Sequence, residues 1–175
     1  MWVRLDLEGI DFNFRISKYR QSTKEKWDDE WCKIDLTLQA SDWLNYHIVS
    51  DEIMLASEVE KVRDKINDLL LDKLDKPEII ECIEPDLEFH LFPMKKTQNN
   101  PDIVLKSVYE NAYVDMDLQI SFWDRNGELT ANRLLLVFGR EDLKKMLCYL
   151  RYITGMADDR DEKVQMLLME GYMYE

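Results

Sequence analysis

Apolar and polar residues alternate with a period of two through the N-terminal part of the chain. Val3, Leu5 and Leu7 flank Arg4 and Asp6; Ile10, Phe12, Phe14 and Ile16 flank Asp11, Asn13 and Arg15; Cys32, Ile34, Leu36, Leu38 and Ala40 flank Lys33, Asp35, Thr37 and Gln39. Successive side chains of a strand point to opposite faces, so each run predicts a strand with one face on a core and one polar face. Glu8-Gly9 predicts a tight turn that makes the first two a hairpin, and residues 45–54 predict a weaker antiparallel strand through Tyr46, Ile48 and Ile53.

The period then changes to that of a helix. Ser57-Glu58-Val59-Glu60 matches a capping box, and Val59, Val62, Ile66, Leu69, Leu70 and Leu74 follow at helical spacing until Pro77. Strands are expected at 79–83, at Leu87 to Leu91, at 103–109, and through Met116, Leu118, Ile120 and Phe122. Residues 95–102 read as an exposed loop. Asn126-Gly127 predicts a type I′ hairpin turn into Leu129–Phe138. Leu143, Met146, Leu147, Leu150 and Ile153 form a second amphipathic pattern closed by Gly155, and the acids at 158–162 lead a short third helix. The expected fold is α+β: an antiparallel sheet of about eight or nine strands, one long interior helix and one or two C-terminal helices. Residues 1–175 read as a single domain, with 158–175 as an appended acidic helix.

Charge adds a second layer. The chain of 175 residues carries a formal charge of -13. Residues 27–60 hold nine acids against one base, Lys33, and 78–90 add five acids with no Lys or Arg, while Arg15, Lys18, Arg20, Lys24 and Lys26 form a basic counter-patch. Such a balance repels phosphates and anionic lipid, which argues against nucleic-acid and membrane partners and permits a basic protein partner. The start of the chain is broken by Arg4, Asp6 and Glu8 where an export signal needs an apolar run, so a cytoplasmic location is expected. Cys32, Cys82 and Cys148, odd in number and widely spaced, read as reduced, buried thiols.

Catalytic chemistry has little to stand on. His47 and His90 lie far apart, and Cys82, Glu88 and His90 match no metal or thiol-protease spacing, so a structural or exposed role is expected for His90. Asp115 and Asp117 share one face of a strand and offer two carboxylates for acid/base or cation chemistry, but alternating acids are also the signature of a solvent-facing strand, which is the expectation adopted. The flanking acids of Glu84-Pro85-Asp86 read as solvated turn residues. Trp27, Trp31, Trp43 and Trp123 are candidate interface anchors; Trp31 is out of phase with Cys32, Ile34 and Leu36 and points to the more polar face.

Two landmarks occur in order: Trp27-Asp28-Asp29-Glu30-Trp31 feeding an alternating strand, and Ile83-Glu84-Pro85-Asp86-Leu87-Glu88-Phe89 after the capped helix. This order resembles the WapI-type immunity proteins of bacterial contact-dependent and polymorphic toxin systems, over roughly residues 10–150. The long 18–30 loop and the acidic tail after Gly155 depart from the family pattern, and no family binding residues carry over. The resemblance implies a small cytoplasmic protein, without catalysis or cofactor of its own, that binds and neutralises a toxin domain. A general protein-interaction module and a small-ligand binder are the alternatives. From local acid density beside aromatics, the expected partner-binding residues are Asp28, Asp29, Glu30, Trp31, Asp51 and Glu52, facing a basic partner, with the protein itself a monomer or homodimer.

Overall fold

A computed structural model describes residues 1–21, 30–93, 95–97, 100–105 and 115–175, the two short stretches 95–97 and 100–105 by their backbone. Trp27, Asp28, Asp29, Lys24 and Lys26 lie outside these residues, as does the 106–109 part of the strand expected at 103–109.

The alternating runs become strands as expected: β1 (Trp2–Leu7), β2 (Ile10–Ser17) and β3 (Trp31–Ala40), followed by β4 (Leu44–Leu55). Glu8 and Gly9 both take positive φ, as a two-residue hairpin turn requires, and Asp6 Oδ1 accepts the Gly9 N–H at 2.7 Å. Next come α1 (Ala56–Leu70), β5 (Glu78–Glu81), β6 (Leu87–Leu91), β7 (Lys95–Thr97) and β8 (Asn100–Leu105), then β9 (Met116–Trp123) and β10 (Leu129–Phe138). The chain closes with α2 (Arg140–Ile153), α3 (Glu162–Met169) and β11 (Met173–Tyr174).

Nine strands form two main antiparallel sheets, a division the alternation leaves open: a five-stranded sheet in the order β11-β1-β2-β3-β4 and a four-stranded one in the order β10-β9-β6-β5. Backbone expected as exposed loop at 95–102 contributes to a separate ribbon of β7 and β8. Both sheets and all three helices feed one apolar cluster. Phe12 of β2 meets Phe138 of β10 edge-on at 5.4 Å, and Tyr46 of β4 meets Phe122 of β9 at 5.5 Å. Each fully buried side chain of this set, such as Leu5, Leu36 or Ile66, contributes about 1.5–3 kcal/mol.

The helices differ from expectation in their ends. α1 stops at Leu70, where Asp72 takes a φ of 55°, and does not reach Pro77; at 15 residues it scarcely exceeds α2 at 14, so no single long helix dominates. Its N-cap also lies two residues before the expected one. Leu55 is the N-cap and has no side-chain acceptor; Glu58, in the third helical position, reaches back so that Oε2 accepts the Leu55 N–H at 2.8 Å. Its other oxygen accepts the Ile83 N–H at 2.7 Å, tying the helix start to the β5–β6 connection. Arg140, at the start of α2, donates to the Leu70 carbonyl at 2.6 Å and so satisfies the end of α1. Gly155 ends α2 with φ 72°, the Met156 N–H bonding to Arg151 O and the Gly155 N–H to Tyr152 O.

One turn and the C-terminal stretch also depart from expectation. Only Gly127 has positive φ at the β9–β10 corner, with the Gly127 N–H bonded to Asp124 O and Asp124 paired to Glu128; this is a type I turn followed by a left-handed residue, not type I′. The stretch expected as an appended acidic helix is α3 plus β11. Val164, Leu167 and Met173 are buried, and β11 pairs with the outer side of β1.

Candidate protein-interaction surface

β4 is one edge of the five-stranded sheet, and among the described residues nothing pairs with its outer side. Its register with β3 is regular from Ala40↔Leu44 to Leu36↔Ile48, then slips twice, because Ile34 pairs with Asp51 and Cys32 with Met54. Each slip places one extra residue on β4. These bulges break the period of two that makes a strand visible in sequence, which is why 45–54 reads as weak.

The first bulge is held from beneath. Asp35 on β3 points away from the core but is buried, and its Oδ1 accepts the N–H of Ser50, a residue at φ 50°. Its Oδ2 takes two donors from Arg15 of β2, Nε at 2.9 Å and Nη2 at 2.8 Å. Arg15 lies 4.8 Å over the Trp2 ring, and Trp2 stacks on Tyr174. Arg15, expected in a basic patch, is therefore committed to an internal ion pair.

Beyond the bulge, Asp51 and Glu52 are exposed and have no ion pair among the described residues; Asp51 accepts only the N–H of Glu52. Glu30 and Trp31 start β3 opposite Leu55, so they sit at the same end of the sheet, with Asp51 about 10 Å along the strand. Trp31 is half-buried, and the Glu30 carbonyl accepts the Ala56 N–H at 2.9 Å. Of the six expected partner residues, four thus lie toward one end of the five-stranded sheet, Asp51 and Glu52 on its edge strand, and Asp28 and Asp29 lie outside the described residues. Val49, 69% exposed, lies on the same strand just before the bulge, and Trp43, 67% exposed, lies in the turn at the far end of the hairpin. Val49, which was not singled out in sequence, is on the outward phase of β4 with Asn45 and His47.

Three of the five acids of the second cluster are engaged elsewhere. Glu78 pairs with Lys65, Asp86 accepts the Trp123 indole N–H at 2.8 Å, and Glu88 meets His90 Nε2 in a close pair. Asp115 and Asp117 are buried, which overturns their reading as a solvent-facing pair: the polar face of β9 is covered. They do not act together. Asp115 faces Arg140 at 3.8 Å, and Asp117 faces His90, its Oδ1 3.1 Å from Nδ1 but off the line of a hydrogen bond, so charge attraction alone links them. Burial pushes the Asp117 carboxyl above the usual aspartate range; His90 opposes this and Glu88 adds to it. Gln119 lies beside His90 at 3.1 Å. His90 is thus a half-buried member of a polar network.

Cys32, Cys82 and Cys148 are free and buried. Burial pushes the first two thiols up to about 12, which leaves them protonated and poorly nucleophilic at neutral pH. Among the described residues, no three His, Cys, Asp or Glu side chains are grouped to hold a metal ion, and no helix is long and apolar enough to cross a membrane.

No curated protein matches the chain. Residues 4–155, from β1 to the glycine that ends α2, match the family described as immunity protein WapI-like, and they include both landmark segments and the bulged acidic edge. The chain belongs to the immunity protein WapI-like family.

Proposed function

We propose that this protein is a non-enzymatic cytoplasmic immunity protein that binds a cognate toxin domain and neutralises it through the acidic edge of β4, assisted by the adjoining start of β3. The observation that carries this reading is the membership of an immunity family in a chain whose bulged edge strand presents Asp51 and Glu52, exposed and without an ion pair among the described residues. An edge strand is a template for pairing, and charge with bulges normally protects it from its own kind. The same charge selects a basic partner and repels another copy of this acidic chain. Val49 and Trp31 supply apolar area at the carboxylate end of the strand, the combination from which interface anchors are built. A toxin domain with a basic substrate cleft fits both features, because carboxylates steer it in and occupy the place of phosphate.

The test is the affinity of the purified chain for the C-terminal domain of a large secreted protein encoded beside it, measured at low and high salt. The expected result is a Kd on the order of nanomolar that weakens with salt. Changing Asp51 and Glu52 together to Ser, or Asp28, Asp29 and Glu30 to Ser, should slow association and flatten the salt dependence with folding intact. Salt-independent binding, or rates unchanged in both variants, would place the interface elsewhere.

A further inference from the structure

The edge of β4 has two unlike halves. From Leu44 to Ile48 its register with β3 is regular, and residues 43–50 hold no Asp, Glu, Lys or Arg. Beyond Val49 the main chain is occupied by carboxylates, Asp35 accepting the Ser50 N–H and Asp51 the Glu52 N–H. The bulge and the charge therefore guard only the second half, and about 17 Å of flat, uncharged edge is left beside them.

The inward face of the first half is unfinished. Leu44, Tyr46 and Ile48 point to the core and pack against it but are only half-buried, whereas Ala40, Leu38 and Leu36 opposite them on β3 are buried. Lying at an edge does not account for this. At the other edges of the two main sheets, Leu136 and Phe138 of β10, Ile80 of β5 and Met173 of β11 face inward and are buried, and of the inward apolar residues there only Leu134 is as open. Three successive inward side chains left partly open, beside a backbone edge that pairs with no strand among the described residues, are what a sixth strand would cover. Its apolar phase would rest on them and its main chain on the β4 edge.

We infer that the partner docks by adding a strand to β4 along Leu44–Ile48, antiparallel like every other pairing in this sheet, with a basic residue at its N-terminal end facing Asp51 and Glu52. The docking mode rests on the immunity reading and specifies how the two chains meet. Main-chain bonds hold any extended segment, so selection falls to what flanks them. The occupant is a segment of about five residues with alternating apolar side chains, preceded by Lys or Arg. A second copy of this chain is a poor fit. Paired antiparallel through its own β4 about Tyr46, it would bring Asp42 of one copy beside Asp51 of the other, acid against acid.

The experiment mixes the full chain with the C-terminal domain of the large secreted protein encoded beside it, and follows binding by calorimetry and amide exchange by NMR. Strand addition slows exchange about tenfold or more at alternate residues of 44–48, those whose N–H groups point outward, a pattern that contact through side chains alone does not produce. Ile48→Lys puts an inward charge on the edge and should weaken binding about tenfold or more; Leu44→Lys, next to the turn, serves should Ile48→Lys fail to fold. Changing Asp51 and Glu52 together to Ser should slow association but keep the alternate protection, because the carboxylates select the segment and the main chain holds it. Binding with exchange at 44–48 unchanged, or a Kd within about twofold of the parent in both lysine variants, overturns strand addition and leaves the immunity reading standing. No binding at low salt refutes that reading and the docking mode with it.

Discussion

Glu58 offers the sharpest test of how this chain is held together. Its two carboxylate oxygens each accept a different main-chain N–H, Leu55 at 2.8 Å and Ile83 at 2.7 Å, in a buried position. Glu58→Gln keeps the shape but replaces one oxygen with an NH2 group, which faces an N–H donor and leaves it unsatisfied. Loss of one charge-assisted hydrogen bond costs about 1.5–3 kcal/mol. In a chain of this length that corresponds to a fall in melting temperature of roughly 3–12 °C, by about 2–4 °C per kcal/mol. Glu58→Ala removes both bonds and should cost more, offset in part because no carboxylate then has to be buried. The control is Ser57→Ala. Ser57 has the sequence position of a cap, but it is exposed and makes no cap bond, so its loss should change stability by less than about 0.5 kcal/mol, against about 1 for a true N-cap. Thermal and urea denaturation followed by circular dichroism measures both variants, and amide exchange should quicken at Leu55 and Ile83 in the Gln variant only. A Ser57→Ala loss equal to or larger than that of Glu58→Gln would refute this assignment of the cap.

Further outcomes follow from other groups. Tyr149 inserts its hydroxyl where the β1–β2 ladder ends, accepting the Ile16 N–H at 2.7 Å and donating to Met1 O at 3.3 Å, so Tyr149→Phe should cost about 1–3 kcal/mol in a urea titration; a neutral result would mean that water replaces the hydroxyl. Asp117 has its folded-state pKa raised by burial, so its contribution to stability is greatest below the unfolded pKa and is lost as pH rises through the folded one. The melting temperature of Asp117→Asn relative to the parent should therefore rise between pH 4 and pH 7; a fall would show that attraction to His90 outweighs burial. Replacing Asp51 and Glu52 with Ser should leave the melting temperature within about 2 °C, since exposed charges without partners contribute little to folding, and a larger drop in a thermal melt would assign them a structural role.

The parts of the fold legible in sequence are those with an unbroken period. Val3 to Leu7, Phe12 to Ile16 and Cys32 to Leu38 alternate and are buried on one face, and the core stripes of α1 and α2 follow the helical spacing of Val59, Val62 and Ile66 and of Leu143, Met146 and Leu150. What escaped depends on contacts distant in sequence. The period of two says which residues of a strand face away from the core, not whether that face is wet. Asp35 and Asp117 both alternate as solvent-facing residues do and both are buried, one beneath Arg15 and the other beside His90. β11 is too short to carry a period, and its pairing with β1 depends on α3 first turning the chain back. Similarly, Glu58 caps a helix it already belongs to, because Leu55 has nothing to offer its own amide neighbours.

The residues proposed to bind a partner show the same division more finely. Asp51 and Glu52 are recognisable as acids in any reading of the chain, but their exposure on a kinked edge follows from the positive φ of Ser50, whose N–H is held by Asp35, whose charge is in turn met by Arg15. A buried ion pair of this kind adds little net stability over an apolar substitute, since desolvation offsets most of the attraction. Its effect here is geometric: it places an extra residue on β4, breaks the flat hydrogen-bonding edge that would pair with any strand, and turns the two carboxylates outward. If the β4 edge is the interface proposed above, specificity for one partner and protection against indiscriminate pairing come from the same three residues, none of which needs to touch the partner.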